Sequence, residues 1–192
     1  MLSRGEAGGG PGGIALVNQG IGGNRVLRDG LGPAILARLD RDALAVSGAR
    51  WLVVFAGVND IGTAGATGAA QRQVTAELCM AYEQIAAKAH AAGLGVVGAT
   101  LTPLGGNDPY DDPAGHREAA RQAVNAWIRA SAGGEGGRYD AVLDFDEAVR
   151  DPGAPRRLRP ALDSGDHLHL NPAGYRALAG AVPAGLLRPA GR

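Results

Sequence analysis

The stretch RWLVVFAG, residues 50–57, is a continuous apolar run that sets the fold implied by the rest of the chain. Such a run is typical of a β-strand covered on both faces, as the strands of a parallel sheet are. Two similar runs follow it in the sequence, LGVVGATL at 94–101 and AVLDF at 141–145. Another short run, IALVN at 14–18, precedes RWLVVFAG. The sequence therefore predicts four strands.

Helical periodicity separates these strands. Apolar residues recur at helical spacing over 35–44, 70–92 and 120–128, and a closing helix over 171–187 is predicted to be interrupted near Pro183. Strands and helices thus alternate as β-α-β-α-β-α-β-α. This order predicts an α/β fold in which a parallel sheet carries helices on both faces.

Length and composition favour a single domain without net charge. The 192 residues suit a single domain over 14–192, after a Gly-rich start, 1–13, that we expect to be disordered. Nineteen basic and nineteen acidic side chains cancel, so neither nucleic acid nor an anionic membrane is the expected partner. Cys79 is the only cysteine, which excludes an internal disulfide. No apolar run approaches the ~20 residues of a membrane span, and no hydrophobic segment of signal-peptide length opens the chain.

Three polar clusters follow predicted strands. They are NQGIGGN at 18–24, GVND at 57–60 and DSGDHLHLN at 163–171. Ligands of parallel α/β folds bind at the carboxyl ends of the strands, which all lie at one edge of the sheet. We therefore expect the three clusters to form one site.

The third cluster fits an acid–base pair. Asp166 and His169 are three residues apart, so the carboxylate can hold one imidazole nitrogen while the other nitrogen acts as a general base. The alternative is a metal site built from Asp163, Asp166, His167 and His169. Adjacent residues tend to point apart, so only a subset of the four could converge on an ion, and the acid–base pair is the favoured hypothesis.

The other two clusters offer hydrogen-bond donors. The side-chain amide of Asn59 could donate to a developing negative charge, although Asn-Asp is also a common turn. Gly20, Gly22 and Gly23 leave their backbone amides open to an anion, or they form only a tight turn. A dinucleotide fingerprint is disfavoured, because Arg25 stands where that fingerprint needs glycine.

In this order, NQGIGGN, GVND and DHLH resemble the second, third and fifth sequence blocks of the SGNH (GDSL-type) hydrolases, which are esterases, lipases and carbohydrate deacetylases. The resemblance implies a flavodoxin-like fold of three layers, α/β/α. It implies that the Gly23 amide and the Asn59 side chain form an oxyanion hole, and that Asp166 and His169 are the acid and base of a catalytic triad. It also implies a small-molecule ester substrate and neither cofactor nor metal; the sequence leaves the location unknown, and the resemblance only favours an extracellular one.

The first block of that family, Gly-Asp-Ser, does not occur in the sequence. The serines are Ser3, Ser47, Ser131 and Ser164, and none follows a predicted strand as the block requires. Ser164, beside the acid–base pair, is the least implausible substitute. Too few residues precede Ile14 to hold a further βα unit of ~30 residues. We therefore expect the first strand and its nucleophile to be missing.

Several expectations follow from the missing block. The chain as written should show little or no turnover, and a truncated reading frame or a fragment would explain the loss. A non-catalytic pseudo-hydrolase that binds an acylated ligand is the alternative, and a metal site at 163–169 is the lesser one. The missing strand is an inner one in the flavodoxin-like order, 2-1-3-4-5. Either IALVN pairs directly with RWLVVF, or two apolar edges stay open.

Overall fold

The computed structural model describes residues 14–133 and 138–186, so the predicted disorder of 1–13 lies outside the described residues. A sheet of three parallel strands stands at its centre in the order β1-β2-β3. The strands are β1 (Trp51–Val54), β2 (Gly95–Ala99) and β3 (Ala141–Leu143). They coincide with the three apolar runs at 50–57, 94–101 and 141–145, which confirms the predicted parallel sheet.

Helices lie before, between and after the strands. Those within the described residues are α1 (Ile35–Leu39), α2 (Val58–Thr63), α3 (Gly68–Ala91), α4 (His116–Ala130), α5 (Phe145–Val149) and α6 (Pro172–Gly180). A π-helical turn (Asp40–Leu44) continues α1, and a short antiparallel hairpin joins β4 (Arg150–Asp151) to β5 (Ala154–Leu158). None of the described helices is both long and apolar enough to cross a membrane.

The helices form a layer on each side of the sheet. Successive residues of a strand point to opposite faces, and β2 shows this alternation. Val96 joins the apolar core made with α3 and α4, whereas Val97 and Ala99 join the core made with α5 and α6. All three side chains are at most 1% exposed. The structure therefore confirms the three-layer α/β/α architecture.

The predicted strand at 14–18 is wrong. This stretch has no regular secondary structure, and Ile14, Leu16 and Val17 are 51%, 77% and 64% exposed. A strand exists only where a neighbour completes its ladder of hydrogen bonds. The nearest candidate is the free edge of β1, but a cleft of about 940 Å³ lies between that edge and the stretch. IALVN therefore does not pair with RWLVVF.

Other predicted boundaries shift for local reasons. The apolar periodicity over 35–44 is one α-helical turn followed by the π-helical turn, and the closing helix ends at Gly180, before Pro183. Asn59 and Asp60 lie inside the short helix α2 and not in a simple turn. The α5 helix and the hairpin after it were not predicted.

The cleft leaves one edge of the sheet open within the described part of the chain. β1 pairs with β2 on one side, and its other side faces the cleft. Val53 and Phe55 are 39% and 43% exposed there, whereas strands of parallel sheets are normally buried. An open apolar edge is a template for pairing with another chain.

A charge on this edge should reduce self-association. We expect Val53→Lys to lower the concentration-dependent light scattering of the protein, because a charged side chain on an edge strand blocks edge-to-edge pairing. Met80→Lys is the control, since Met80 is a 55% exposed residue of α3 that does not line the cleft. Identical scattering from the native protein and both variants would show that the open edge does not drive association.

Candidate active site

The turn from β1 into α2 accepts only glycine at position 57. Gly57 has a φ of 131°, and a Cβ built there would lie 2.3 Å from the Tyr82 hydroxyl. That hydroxyl donates to the Ala56 carbonyl oxygen at 2.6 Å, which fixes the end of the strand. The tight turn puts Asn59 and Asp60 in the first turn of α2, beyond the carboxyl end of β1.

Asp60 ties the irregular segment after residue 20 to this helix. Its carboxylate accepts from the backbone amides of Val26 and Leu27 at 2.9 and 3.0 Å, and its side chain is almost fully buried. Burial raises the pKa of Asp60, while the two amide hydrogen bonds oppose that rise. The residue was not predicted as part of the site, yet it brings the first two polar clusters together.

The predicted oxyanion donors lie beside one another. Asn59 Nδ2 donates to the Asn24 carbonyl oxygen at 2.9 Å, directly after Gly23. Gly23 has a φ of 70°, a left-handed conformation that favours glycine, and its amide donates to no backbone acceptor among the described residues. Arg38 holds the same turn by donating to Asn24 Oδ1 at 2.9 Å. One amide proton of Asn59 and the Gly23 amide therefore stay available to a ligand.

Asp166 and His169 are in contact. His169 Nδ1 lies 2.6 Å from Asp166 Oδ2, and Asp166 Oδ1 accepts from the backbone amides of Leu168 and His169. The bond from His169 holds the pKa of Asp166 well below its usual range, since it favours the charged form. His169 is exposed, so its Nε2 is open to solvent and to a substrate.

A second pair stands on the same loop. His167 Nδ1 lies 2.6 Å from Asp163 Oδ2, and Asp163 Oδ1 accepts from the amides of Gly165 and His167. These bonds hold His167 at a φ of 62°, which is unusual for a residue other than glycine. Burial opposes ionisation of Asp163, but the Gly165 amide and the His167 imidazole outweigh it and lower the pKa of Asp163.

The two aspartate–histidine pairs are separate from each other. Each aspartate faces its own histidine, because Asp163 pairs with His167 and Asp166 with His169. Within 14–133 and 138–186, no group of three or more histidine, cysteine, aspartate or glutamate side chains is arranged to hold an ion. The geometry fits two separate carboxylate–imidazole pairs.

One loop after β2 connects both halves of the site. Asn107 Nδ2 donates to the Asp166 carbonyl oxygen at 2.7 Å, and the Tyr110 hydroxyl donates to Asn59 Oδ1 at 3.0 Å. These contacts span 59 and 51 residues of sequence. In the sequence this loop is recognisable only as a polar stretch at the carboxyl end of a strand, where parallel folds bind ligands. Nothing in it identified which side chains of the loop point inward.

None of the described serine hydroxyls forms a hydrogen bond with the His169 side chain. Ser164 Oγ donates to Asp166 Oδ1 at 3.0 Å, so it pairs with the aspartate and not with the histidine. Ser131 Oγ donates to the Trp127 carbonyl oxygen, and Ser47 lies before β1, at the end of the strand away from Asn59. Among the residues that the structure describes, no hydroxyl forms a hydrogen bond with His169 Nε2.

Removing either imidazole should affect only its own carboxylate. We expect His169→Ala to raise the pKa of Asp166 toward its usual value and to leave that of Asp163 in place, with the opposite result for His167→Ala. The pKa of Asp166 is lowered on folding, so its contribution to stability is present above the usual aspartate pKa and is lost as the pH falls through the folded value. Carboxyl carbon NMR titrations measure both groups. If one variant changed the pKa of both carboxylates equally, the two pairs would not be separate.

Replacing Asp60 should destabilise the protein. Asp60→Asn puts an amide group against two backbone amides that need an acceptor, and an unsatisfied buried donor costs about 1–3 kcal/mol. Urea denaturation should show the free energy of unfolding falling by that amount. Asp108→Asn, on an exposed loop residue, should leave the midpoint unchanged. A midpoint for Asp60→Asn equal to that of the native protein would disprove the role of this carboxylate.

Solved structures with a similar fold come from several bacteria. A GDSL-like lipase from Bacteroides thetaiotaomicron has a TM-score of 0.59 at 21% identity, and the match covers 76% of this chain and 65% of the lipase. This chain thus spans just under two thirds of the length of that protein. At such low identity the likeness concerns the fold.

Two esterase-like structures match more of this chain. An acetylxylan esterase from Geobacillus stearothermophilus has a TM-score of 0.56 at 20% identity, over 86% of this chain and 68% of the esterase. An alpha/beta hydrolase from the metagenome of Lake Arreo in Spain has a TM-score of 0.56 at 19% identity, and the match covers 86% of this chain and 69% of the hydrolase. No curated protein matches the sequence.

A match between the sequence and a protein-family model assigns the family of the chain. The model of the GDSL-like Lipase/Acylhydrolase family matches residues 5–177, which include all three polar clusters. The chain belongs to the GDSL-like lipase/acylhydrolase family.

Proposed function

We propose that this site hydrolyses an acyl ester with a serine nucleophile, using His169 as the base, Asp166 as the acid, and Gly23 and Asn59 as oxyanion donors. The observation that carries the proposal is the 2.6 Å contact between His169 Nδ1 and Asp166 Oδ2. Membership of the acylhydrolase family supports it. The loop that joins Asp166 to Asn59 supports it further, because it ties the acid–base pair to the oxyanion donors.

The proposed reaction uses these side chains in the following steps. A serine hydroxyl attacks the ester carbonyl carbon and passes its proton to His169 Nε2, while Asp166 stabilises the imidazolium that forms. The Gly23 amide and Asn59 Nδ2 donate to the negative oxygen of the tetrahedral intermediate. The imidazolium then gives its proton to the leaving alkoxide. Water, deprotonated by the same imidazole, then attacks the acyl carbon, and the serine oxygen leaves and takes the proton back from the imidazolium, which releases the carboxylic acid.

We propose that the serine lies beside the cleft. None of the described serine hydroxyls forms a hydrogen bond with the His169 side chain, whereas the cleft runs along the free edge of β1 as far as Asn59. A strand lying in the cleft parallel to β1 would end next to Asn59. A hydroxyl on the turn after that strand would then face both the oxyanion donors and the exposed imidazole.

The openness of the site suits a substrate with a bulky alcohol part. The side chain of His169 is 67% exposed, and balanced charge around the chain favours an uncharged ligand. One structural neighbour is an acetylxylan esterase. Acetyl esters of carbohydrates are therefore the first substrates that we propose.

Turnover should depend on a restored nucleophile. We expect the chain as given to show little or no hydrolysis of 4-nitrophenyl acetate or acetylated xylan, and a protein with a strand ending in Gly-Asp-Ser joined ahead of Ile14 to hydrolyse them. In that active protein, His169→Ala should lose most of the turnover. Asn59→Ala should lower kcat by ~10²–10³, the usual loss for one oxyanion donor.

The control for that experiment is the second pair. His167→Ala removes an imidazole from the same loop without touching Asp166, so it should retain most of the turnover. A fluorophosphonate should label the active protein at the introduced serine. Full turnover in His169→Ala would disprove the assignment of the base.

A non-catalytic binding domain is the second candidate. The lack of a described hydroxyl at His169 favours it. Under this alternative the chain as given would bind an acetylated xylo-oligosaccharide more tightly than the deacetylated one in calorimetry, and the restored strand would add no turnover.

A further inference from the structure

Tyr110 places a hydroxyl on the oxyanion side of the site. Its ring lies on α2 at Gly62, where a Cβ would come within 2.4 Å of the ring carbons. The missing side chain lets the ring approach the helix, and the hydroxyl reaches Asn59 Oδ1 at 3.0 Å. Partial burial raises the pKa of Tyr110, so the hydroxyl stays protonated and able to donate at neutral pH.

The hydrogen bond from Tyr110 decides which end of the Asn59 amide faces a ligand. Only the Nδ2 end can donate to an oxyanion, whereas the Oδ1 end would repel it. Tyr110 donates to Oδ1, and Asn24 accepts from Nδ2 at 2.9 Å. Both contacts favour the same orientation of the amide. Without Tyr110, Oδ1 loses its partner and the amide is held on one side only.

The loop that carries Tyr110 is fixed at several points. Asp112 accepts from the backbone amides of His116 and Arg117 at 3.1 and 2.8 Å, at the start of α4. The Arg117 guanidinium donates to the Pro109 and Ala64 carbonyl oxygens at 2.7 and 3.1 Å. The hydroxyl is thus held in place by the loop itself and not only by Asn59.

The other end of the loop is held on the acid–base side. The Asp111 carboxylate accepts from the Gly106 amide at 2.8 Å and pairs with Arg156. Asn107 is 7% exposed and donates to the Asp166 carbonyl oxygen. Position 110 is therefore fixed relative to both halves of the site.

We propose that Tyr110 is a positioning residue that orients the side-chain amide of Asn59, so that Nδ2 faces the carbonyl oxygen of the ester. The inference rests on the proposed function for its benefit to catalysis. Its structural content, the orientation of Asn59 by one hydroxyl, can be tested on the chain as it is. Tyr110 does not touch the reacting atoms in this arrangement and acts through Asn59.

The test is Tyr110→Phe in the full chain, followed by NMR of the Asn59 side chain. Phenylalanine keeps the ring on Gly62 and removes only the hydroxyl, so thermal stability reports whether packing is preserved. We expect the Asn59 Cγ resonance to move upfield, because Oδ1 loses a hydrogen bond, and its Nδ2 protons to exchange faster with water. Tyr175→Phe is the matched control, since Tyr175 is an exposed residue of α6.

Two outcomes would overturn the proposal. One is an Asn59 side-chain spectrum in Tyr110→Phe identical to that of the native protein. The other is an equal change in Tyr175→Phe, which would show a general effect of the substitution. If Tyr110→Phe fails to fold, the backbone signals of α2 will disappear together with those of the Asn59 side chain. Tyr110→Leu would then replace it, and an unchanged Asn59 Cγ in a folded Tyr110→Leu would likewise contradict the proposal.

Turnover separates this inference from the proposed function. In the protein with the restored Gly-Asp-Ser strand, Tyr110→Phe should lower kcat about tenfold with KM nearly unchanged, because an oxyanion donor acts in the transition state. Unchanged kcat beside an altered Asn59 spectrum would show that the orientation does not matter for catalysis and would overturn the catalytic part. Absent turnover in the parent protein would instead disprove the proposed function, and the Asn59 spectrum would still decide the role of Tyr110.

Discussion

The buried carboxylate of Asp60 is the interaction on which the site depends. The segment from Gly20 to Pro33 has no regular secondary structure, so no ladder of sheet hydrogen bonds holds it. Asp60 replaces that ladder with two bonds to the amides of Val26 and Leu27. Because Asp60 belongs to α2, the first helix after β1, these two bonds fix the segment relative to the sheet. Together with the bond from Asn59 Nδ2 to the Asn24 carbonyl oxygen, this connection keeps Gly23 beside Asn59.

The central strands were predictable because their signal is local. A parallel strand buried on both faces needs an unbroken apolar run, and the runs at 50–57, 94–101 and 141–145 provide one. The run at 14–18 has a similar composition, but the cleft separates it from β1, and pairing is not a property of one segment. The β5 strand, APRRL, was missed for the opposite reason. It is a polar hairpin strand without alternating apolar residues.

The site was predictable to the extent that its contacts are short in sequence. Asp166 and His169 are three residues apart, and the structure brings them into contact. The contact of Tyr110 with Asn59 spans 51 residues and depends on how the loop after β2 folds back. A side chain that meets its partner through such a loop leaves no pattern in the sequence. Asp60 was missed likewise, because GVND is equally typical of a turn.

The order of the strands has a consequence for motion. β1, β2 and β3 are neighbours in the sheet in the order in which they follow along the chain, so the core is built from successive units. The segment from Gly20 to Pro33 contributes a single fully buried apolar side chain, Val26, to that core. Regions with few buried contacts open at lower free energy than the core does. We therefore expect this segment, which carries Gly23, to open more readily than the sheet, and a ligand bound at Gly23 to slow that opening.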